Sequence, residues 1–378
     1  MIAKYDDPRL KALLFGLVAC LLLLTGFFWQ NIVASSPWFF GYRGPDLFGI
    51  YAARLDGSGV RSILFDEKRE LSHPRVSPDG KRITFTRYNR LLGGGIAEEN
   101  GSDYLHTEVV IADIDGSHQL SIEPTAAQVL NANSSWVDND SVLYVHRSDL
   151  TSLPELRLYH LSSRRAARVP TPAGLAVSDP HCVNGRIVFP VVPLDLKATT
   201  CCLYTMKLDG SDFRQLTAPQ ITPTSAALSF KPGDYDPWFS PSGHTVVFMR
   251  YFGGADWRIF SVNVSTGAEQ LLTRPGETSA IPEWSSDGKS IIFANFDKTK
   301  LENLGLYTMA PSGLNKQKIP LPGGYLYTHP SYFPAYFPAY FPASLPTALP
   351  SSERGAGSGA KSDIIYGARR VPGLPGGR

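Results

Sequence analysis

A short phrase of turn-forming residues recurs along this chain, each time directly before an apolar run. The clear copies are Pro74-Arg-Val-Ser-Pro-Asp-Gly-Lys, Pro237-Trp-Phe-Ser-Pro-Ser-Gly-His and Pro282-Glu-Trp-Ser-Ser-Asp-Gly-Lys. Each leads into a run of β-branched and aromatic residues, such as Ile291-Ile-Phe-Ala. A fixed turn placed before a β-run at regular intervals is the signature of a repeat architecture. The chain is therefore predicted to consist of repeated β units.

Weaker copies of this cassette begin at Ser134, Pro180 and Pro330, so that successive copies lie 60, 46, 57, 45 and 48 residues apart. The second half of each unit repeats as well. It is a strand in which apolar and polar residues partly alternate and which ends in a small turn, as in Leu203-Tyr-Thr-Met-Lys-Leu-Asp-Gly. A short outer strand such as Arg214–Thr217 follows. These intervals fit one four-stranded blade per repeat.

The two ends of the repeat region complement each other. Residues 48–57 and 61–64 form a second half with no cassette of its own, whereas His329-Pro330 begins a cassette with no second half. Joining them closes a ring and removes long exposed edges. We predict an all-β fold, a six-bladed β-propeller over residues 46–341. The Tyr-Phe-Pro-Ala repeats after His329 make the seam its weakest part, since Pro334 and Pro338 cannot lie in a central strand.

The cassette resembles the TolB-type propeller repeat, which TolB proteins share with the propeller domains of prolyl-oligopeptidase-type peptidases. The resemblance rests on the copies at Pro74, Pro237 and Pro282 and covers roughly residues 46–333. It implies a six-bladed ring that serves as a platform for protein partners or ligands. It implies no chemistry, because a fold does not determine a reaction.

Outside the propeller, the N-terminus predicts membrane attachment. Residues 12–34 lack charge and are rich in Leu, long enough for a transmembrane helix. Basic residues in the stub, residues 1–11, place it in the cytoplasm and the propeller in the periplasm or another extracytoplasmic space, after a linker at 35–45. A cleaved signal peptide ending at Val33-Ala34-Ser35 and a lipoprotein signal at Cys20 are the alternatives. Residues 342–378, rich in Pro, Gly and Ser, are predicted to be a disordered tail.

Composition and motifs exclude several functions. The net charge of +2 provides no basic face for nucleic acid. The chain has no Gly-x-Ser-x-Gly elbow, His-Glu-x-x-His pair or Walker A loop, so we predict no catalytic residue and no cofactor. Cys182, Cys201 and Cys202 are expected to be packed thiols, since strands two apart lie beyond disulfide reach. The recurring Trp136, Trp238 and Trp284 are expected to pack between blades.

One set of polar residues is a candidate site. The residue before each cassette proline is expected where the chain passes from one blade to the next, near a mouth of the central channel. These positions hold His73, Asp179, Asp236, Ile281 and His329. His73, Asp179, Asp236 and His329 are the predicted binding residues. A plain structural role is the alternative, because Asp-Pro and His-Pro also favour turns. A divalent metal is another, since oligogalacturonate lyases, propellers of similar type, hold a metal through histidines.

These observations predict a non-catalytic, membrane-anchored propeller scaffold that binds a protein or glycan partner outside the cytoplasm. The main alternative is a metal-dependent carbohydrate lyase or hydrolase acting at the channel mouth. A ligand sensor that signals through the anchor is a third hypothesis, although a stub of about 11 residues holds no output domain.

Overall fold

The computed structural model describes residues 48–88, 106–122, 129–149, 151–192, 200–222, 231–297, 301–333 and 363–370. Nearly all regular structure in them is β. The strands are, in chain order, β1 (Gly49–Arg54), β2 (Arg61–Leu64), β3 (Glu70–Val76), β4 (Arg82–Tyr88), β5 (His106–Asp113), β6 (Leu120–Ser121), β7 (Val129–Trp136), β8 (Ser141–Arg147), β9 (Glu155–His160), β10 (Arg165–Arg168), β11 (Ala176–Val177), β12 (His181–Val183), β13 (Arg186–Val192), β14 (Cys202–Lys207), β15 (Arg214–Gln215), β16 (Gly233–Phe239), β17 (Thr245–Gly253), β18 (Asp256–Asn263), β19 (Glu269–Leu271), β20 (Ser279–Trp284), β21 (Ile291–Asn295), β22 (Gly305–Met309), β23 (Gln317–Lys318), β24 (Tyr325–Tyr332) and β25 (Asp363–Arg370). A 3₁₀ turn covers Leu301–Asn303.

Each cassette produces the first hairpin of an antiparallel meander. In the first copy, Asp79 Oδ1 accepts hydrogen bonds from the Ser77 hydroxyl and the Lys81 amide, and Gly80 takes a φ of 70°. Such turns need both a side chain that bonds its own backbone and a residue that accepts positive φ. The resulting strand orders are β16-β17-β18-β19 and β20-β21-β22-β23, and β12 to β15 follow the same pattern, with β11 also on β13.

Two such units merge into one eight-stranded sheet. The units β3–β6 and β7–β10 are joined where β5 and β7 pair in parallel through His106–Val129 and Thr107–Leu130. Hydrogen bonding therefore divides the described strands into five sheets, although the meanders repeat as the cassettes predict.

The seam sheet, in the order β2-β1-β25-β24, corrects one sequence expectation. Residues 363–370 were predicted to belong to a disordered tail, but they form β25, which pairs with β1 along all six β1 residues and with β24 on its other side. The physical reason is a short apolar run, Ile364-Ile365-Tyr366, which is fully buried between the two ends of the repeat region. The remainder of the predicted tail lies outside the described residues.

The sheets follow one another in a closed circuit. The inner strand of each unit packs against the preceding unit, and β24 contacts both β20–β22 before it and β3 after it. Apolar clusters fill these junctions. One joins Ile50 and Ile365 of the seam sheet to Phe85 and Val110 of the next unit, and another joins Val247 to Trp284. Core burial between neighbouring units thus holds the ring together.

The predicted transmembrane helix at 12–34, the stub and the linker lie outside the described residues. Within the described part of the chain, no helix is long and apolar enough to cross a membrane. The thiols agree with the sequence expectation, since Cys182, Cys201 and Cys202 are free, with the first two buried.

Candidate binding site in the central channel

The residues before the cassette prolines lie inside the channel. They were expected at the passage from one blade to the next, and this was wrong. The inner strands begin several residues earlier, so most of these positions fall mid-strand, as His73 does in β3, while Asp179 lies between β11 and β12. Their expected place near a mouth of the channel stays a prediction. The set, here called the channel ring, shares a left-handed backbone with φ between 37° and 53° and consists of His73, Asn133, Asp179, Asp236, Ile281 and His329.

A β-bulge lets each inner strand continue through its proline. The register shifts at Ser72/Arg75 in β3 and at the matching place in the other inner strands, while in the third repeat the bulge separates β11 from β12. Proline lacks an N–H and is tolerated in sheets only at edges and bulges, and the inner strands that carry a proline are sheet edges, whereas β7, which lies inside a sheet, has Ser134 at that place. Asn, Asp and His enter the left-handed region more readily than other non-glycine residues. Ile281 is the exception.

The channel ring contains two close pairs. The imidazoles of His73 and His329 have centroids 3.6 Å apart. His329 Nδ1 also lies 2.7 Å from the Thr328 hydroxyl. On the other side, the Asn133 amide donates a hydrogen bond of 2.5 Å to Asp179 Oδ1. Asp179 and Asp236 lie close enough that the charge of Asp179 acts on Asp236. The structure therefore brings together the four predicted binding residues as a histidine pair and a carboxyl pair.

A second layer of side chains, here called the channel layer, lies two residues later along the inner strands, directly after each cassette proline. Its centre is Arg75, whose guanidinium lies 4.7 Å from the ring centroid of Trp238 and 3.6 Å from Glu283 Oε2. Trp238 stacks its other side on His181 at 3.7 Å, and Ser331 donates to Glu283 Oε1 at 3.0 Å. These contacts join five different units across the channel.

Burial and charge set the protonation of this interior. Burial, with a smaller contribution from the Arg75 charge, lowers the pKa of His73 to about 3. The same causes lower the pKa of His181, and for His329 the nearby His73 adds to the effect. The three imidazoles are therefore neutral at physiological pH.

The carboxyl groups shift in the opposite direction. Burial raises the pKa of Glu283 to about 7, although Arg75 opposes the shift. Burial raises the pKa of Asp179, and burial together with the neighbouring Asp179 charge raises that of Asp236. Two adjacent carboxyl groups resist simultaneous ionisation, so they share protons as a pair.

Arg75 and most of the channel ring line a small, partly open cavity. Its lining includes His73, Asn133, Asp179, Asp236 and Ile281, and the cassette prolines 180, 237 and 282. The cavity has a volume of about 20 Å³, and one water needs about 10–15 Å³. It therefore has room for a water-sized group and is too small to take in a sugar ring.

The metal alternative finds little support in this geometry. Within the described residues, no three His, Cys, Asp or Glu side chains form a group that could hold a metal ion. The histidines contact one another across one side of the ring, whereas the carboxyl pair lies with Asn133.

The channel layer was missed from the sequence, although its signal was present. Aligning the cassettes on their prolines puts Arg75, His181, Trp238 and Glu283 in the column directly after the proline, whereas the predicted binding residues stand directly before it. Trp136 and Trp284, one column later, are buried in inter-unit clusters as predicted. Trp238 also packs against one of these clusters, and in addition it lines the cavity.

Comparison with solved structures identifies the architecture. No protein-family model and no curated sequence matches the chain. TolB from Acinetobacter baumannii superposes with a TM-score of 0.51 at 15% identity, covering 73% of this chain and 63% of TolB. The chain has a TolB-like β-propeller fold.

Two further structures share this TolB-like propeller architecture less closely. A putative TolB from Agrobacterium tumefaciens has a TM-score of 0.39 at 17% identity, covering 65% of this chain and 96% of its own. Oligogalacturonate lyase from Vibrio parahaemolyticus has a TM-score of 0.45 at 12% identity, with coverages of 73% and 74%. At such identities the likeness extends to the fold alone, and the chain spans under two thirds of the Acinetobacter TolB.

Proposed function

We propose that this TolB-like propeller is a non-catalytic, six-bladed scaffold, anchored by residues 12–34 and binding a protein partner outside the cytoplasm. The count of six treats the halves of the eight-stranded sheet as separate blades. The uncharged N-terminal segment and its basic flank support the anchor and its orientation.

One observation carries the binding role: side chains from several units meet in the middle of the ring and line a small polar cavity. Arg75 spans from Trp238 to Glu283, and the cavity beside it has room only for a group the size of a side-chain tip. A partner would therefore dock on the rim of the ring and insert a small group. A glycan is the less favoured partner, since a sugar ring exceeds the cavity.

The lyase alternative requires a substrate sugar next to a catalytic base and a bound metal. The paired carboxyls and neutral imidazoles are groups that such chemistry uses. The small cavity favours the scaffold, as does the finding that no three His, Cys, Asp or Glu side chains of the described residues form a group that could hold a metal.

The test is in-cell crosslinking with the full, tagged chain. The wild type should yield a specific crosslinked protein on the extracytoplasmic side, and the double variant Asp179→Asn/Asp236→Asn should lose it. Asp209→Asn is the matched control, because it removes an equivalent charge at an exposed turn where Asp209 accepts from Ser211. An unchanged crosslink in the double variant, or metal-dependent cleavage of polysaccharide by the purified chain, would contradict the proposal.

A further inference from the structure

The channel interior carries more acidic groups than basic ones. Arg75 faces three carboxyl groups, those of Asp179, Asp236 and Glu283, and the charge of Arg75 acts on all three. The guanidinium is committed to Glu283 and to the Trp238 ring. Within the described residues, neither Asp179 nor Asp236 forms an ion pair. The cavity therefore presents a carboxyl pair whose neighbouring cation, Arg75, is paired with another carboxyl group, that of Glu283.

A third acceptor faces the same cavity. His73 is 6% exposed, and its Nδ1 has no hydrogen-bond partner among the described residues. A buried polar atom without a partner costs roughly 1–3 kcal/mol. A neutral imidazole can present Nδ1 as an acceptor. The cavity thus combines two carboxyl groups with one unsatisfied, buried nitrogen.

The remaining lining suits an alkyl chain. Ile281, Pro237 and Pro282 contribute apolar surface beside the carboxyl pair. A water-sized space with acidic groups inside and apolar walls accepts a compact cation on an alkyl chain. A lysine side chain has this form, because its methylene stem can be buried beside apolar surface while its charged tip reaches a polar group.

We propose that this cavity binds the ammonium group of a lysine side chain that a protein partner inserts into the channel. This inference rests on the proposed scaffold function and specifies its partner chemistry. An ammonium group has three donors and no acceptor, so it can donate to the Asp179 and Asp236 carboxyls, while His73 Nδ1 is a further acceptor in the lining of the same cavity. A guanidinium is planar and wider, and so fits a water-sized space less well.

Binding of an ammonium group is linked to proton release. The titratable and charged groups facing the cavity or the layer beneath it are His73, Arg75, Asp179, His181, Asp236, Glu283 and His329. A bound cation favours ionised carboxylates, so the Asp179–Asp236 pair gives up the proton that it shares in the empty site. Lysine binding should therefore strengthen as pH rises from 5 to 7.

The test uses the full chain in detergent and Nα-acetyl-lysine amide, which carries only the side-chain amine. Calorimetric titration in buffers of different ionisation enthalpy should detect saturable binding with release of a fractional proton. The Nε-acetylated analogue should not bind. Asp236→Asn should weaken binding by about thirtyfold or more while Asp209→Asn leaves it unchanged. Asn is accommodated at this backbone position, as Asn133 shows, so Asp236→Asn should fold.

Several outcomes would overturn the inference. The first is that Nα-acetyl-lysine amide does not bind. The second is that glycinamide, ethanolamine or Nα-acetyl-arginine amide binds more tightly than Nα-acetyl-lysine amide. The third is that Mg²⁺ or Ca²⁺ displaces the bound amine. If a partner is crosslinked in cells but the lysine compound does not bind, only this inference fails. If the compound binds but no partner is captured, the scaffold function fails instead.

Discussion

The imidazole rings of His73 and His329 meet with centroids 3.6 Å apart, although 256 positions separate them along the chain. The contact joins the seam sheet to the following unit, at the point where the two ends of the repeat region close the ring. It exists because equivalent positions in neighbouring inner strands both adopt the left-handed conformation. The seam and the candidate site are therefore structurally connected.

The histidine pair makes the fold sensitive to acid. The folded-state pKa of His73, about 3, lies below its unfolded value near 6.5, so the unfolded chain binds an additional proton between these pH values. Stability contributed by the neutral ring is complete above pH 6.5 and is lost as pH falls. His73→Asn should remove about 1.4 kcal/mol per pH unit of this dependence between pH 6 and 4.

Urea denaturation across that pH range measures the effect. The difference in unfolding free energy between wild type and His73→Asn should shrink as pH falls. His118→Asn, at an exposed histidine, should run parallel to the wild type. Parallel curves for His73→Asn would show that this ring titrates normally.

Glu283 has the opposite pH dependence. Its folded-state pKa, about 7, exceeds the model-peptide value of 4.5, so its contribution is complete below pH 4.5 and lost as pH rises to 7. Glu283→Gln, which retains the acceptor for Ser331 and Tyr332, should match the wild type near pH 4.5. At pH 8 it should be more stable, by about 1–3 kcal/mol.

Thermal or urea unfolding of Glu283→Gln at pH 4.5 and pH 8 checks this sign. Glu302→Gln, at an exposed side chain, is the matched control and should show no gain at the higher pH. If Glu283→Gln were strongly destabilised at pH 8, the ion pair with Arg75 would outweigh the cost of burying the carboxylate.

The C-terminal strand β25 should be essential for ring closure. Ile365 is fully buried between β1 and β24. Ile365→Ala should cost about 2–5 kcal/mol, whereas Arg370→Ala, at the exposed end of the strand, should cost less than about 0.5 kcal/mol. Equal, small effects in chemical denaturation would place β25 outside the cooperative fold.

The approach of β14 to β16 depends on a glycine. Gly233 has a φ of 138° and bridges to Cys201, and a Cβ at this position would overlap the Cys201 backbone. Gly233→Ala should therefore cost about 3 kcal/mol or more. Gly185 also has positive φ but open space around it, so Gly185→Ala should cost only about 1–2 kcal/mol. Similar losses of stability in both variants would contradict the close approach.

Much of the fold is readable from the sequence because turn chemistry is local. The Ser-x-Asp-Gly cassette stabilises its own hairpin through hydrogen bonds such as the one that the Ser77 hydroxyl donates to Asp79. The repeats and the strand order within each repeat therefore follow from the sequence pattern alone. The strand β25 could not be found this way, because Ile364–Tyr366 has no cassette turn and one of its two partners, β1, lies at the other end of the repeat region. A short apolar run in a polar tail does not reveal its pairing.

The candidate site was predictable only in part, for a related reason. The cassette alignment identifies His73, Asp179, Asp236 and His329 as equivalent positions. It does not show that bulges carry the strands past their prolines, since a proline argues against a strand. It also cannot show that Arg75 reaches Trp238 and Glu283, because such contacts depend on the closed ring rather than on neighbours in sequence.

The most direct test of the scaffold account is photo-crosslinking from the channel in intact cells. Trp238, which lines the cavity, is replaced by benzoylphenylalanine in the full chain, and Leu314, which is 67% exposed, serves as the control position. The account predicts one discrete protein adduct from position 238 and none from position 314. No adduct from position 238, or the same adducts from both positions, would contradict partner binding at the channel.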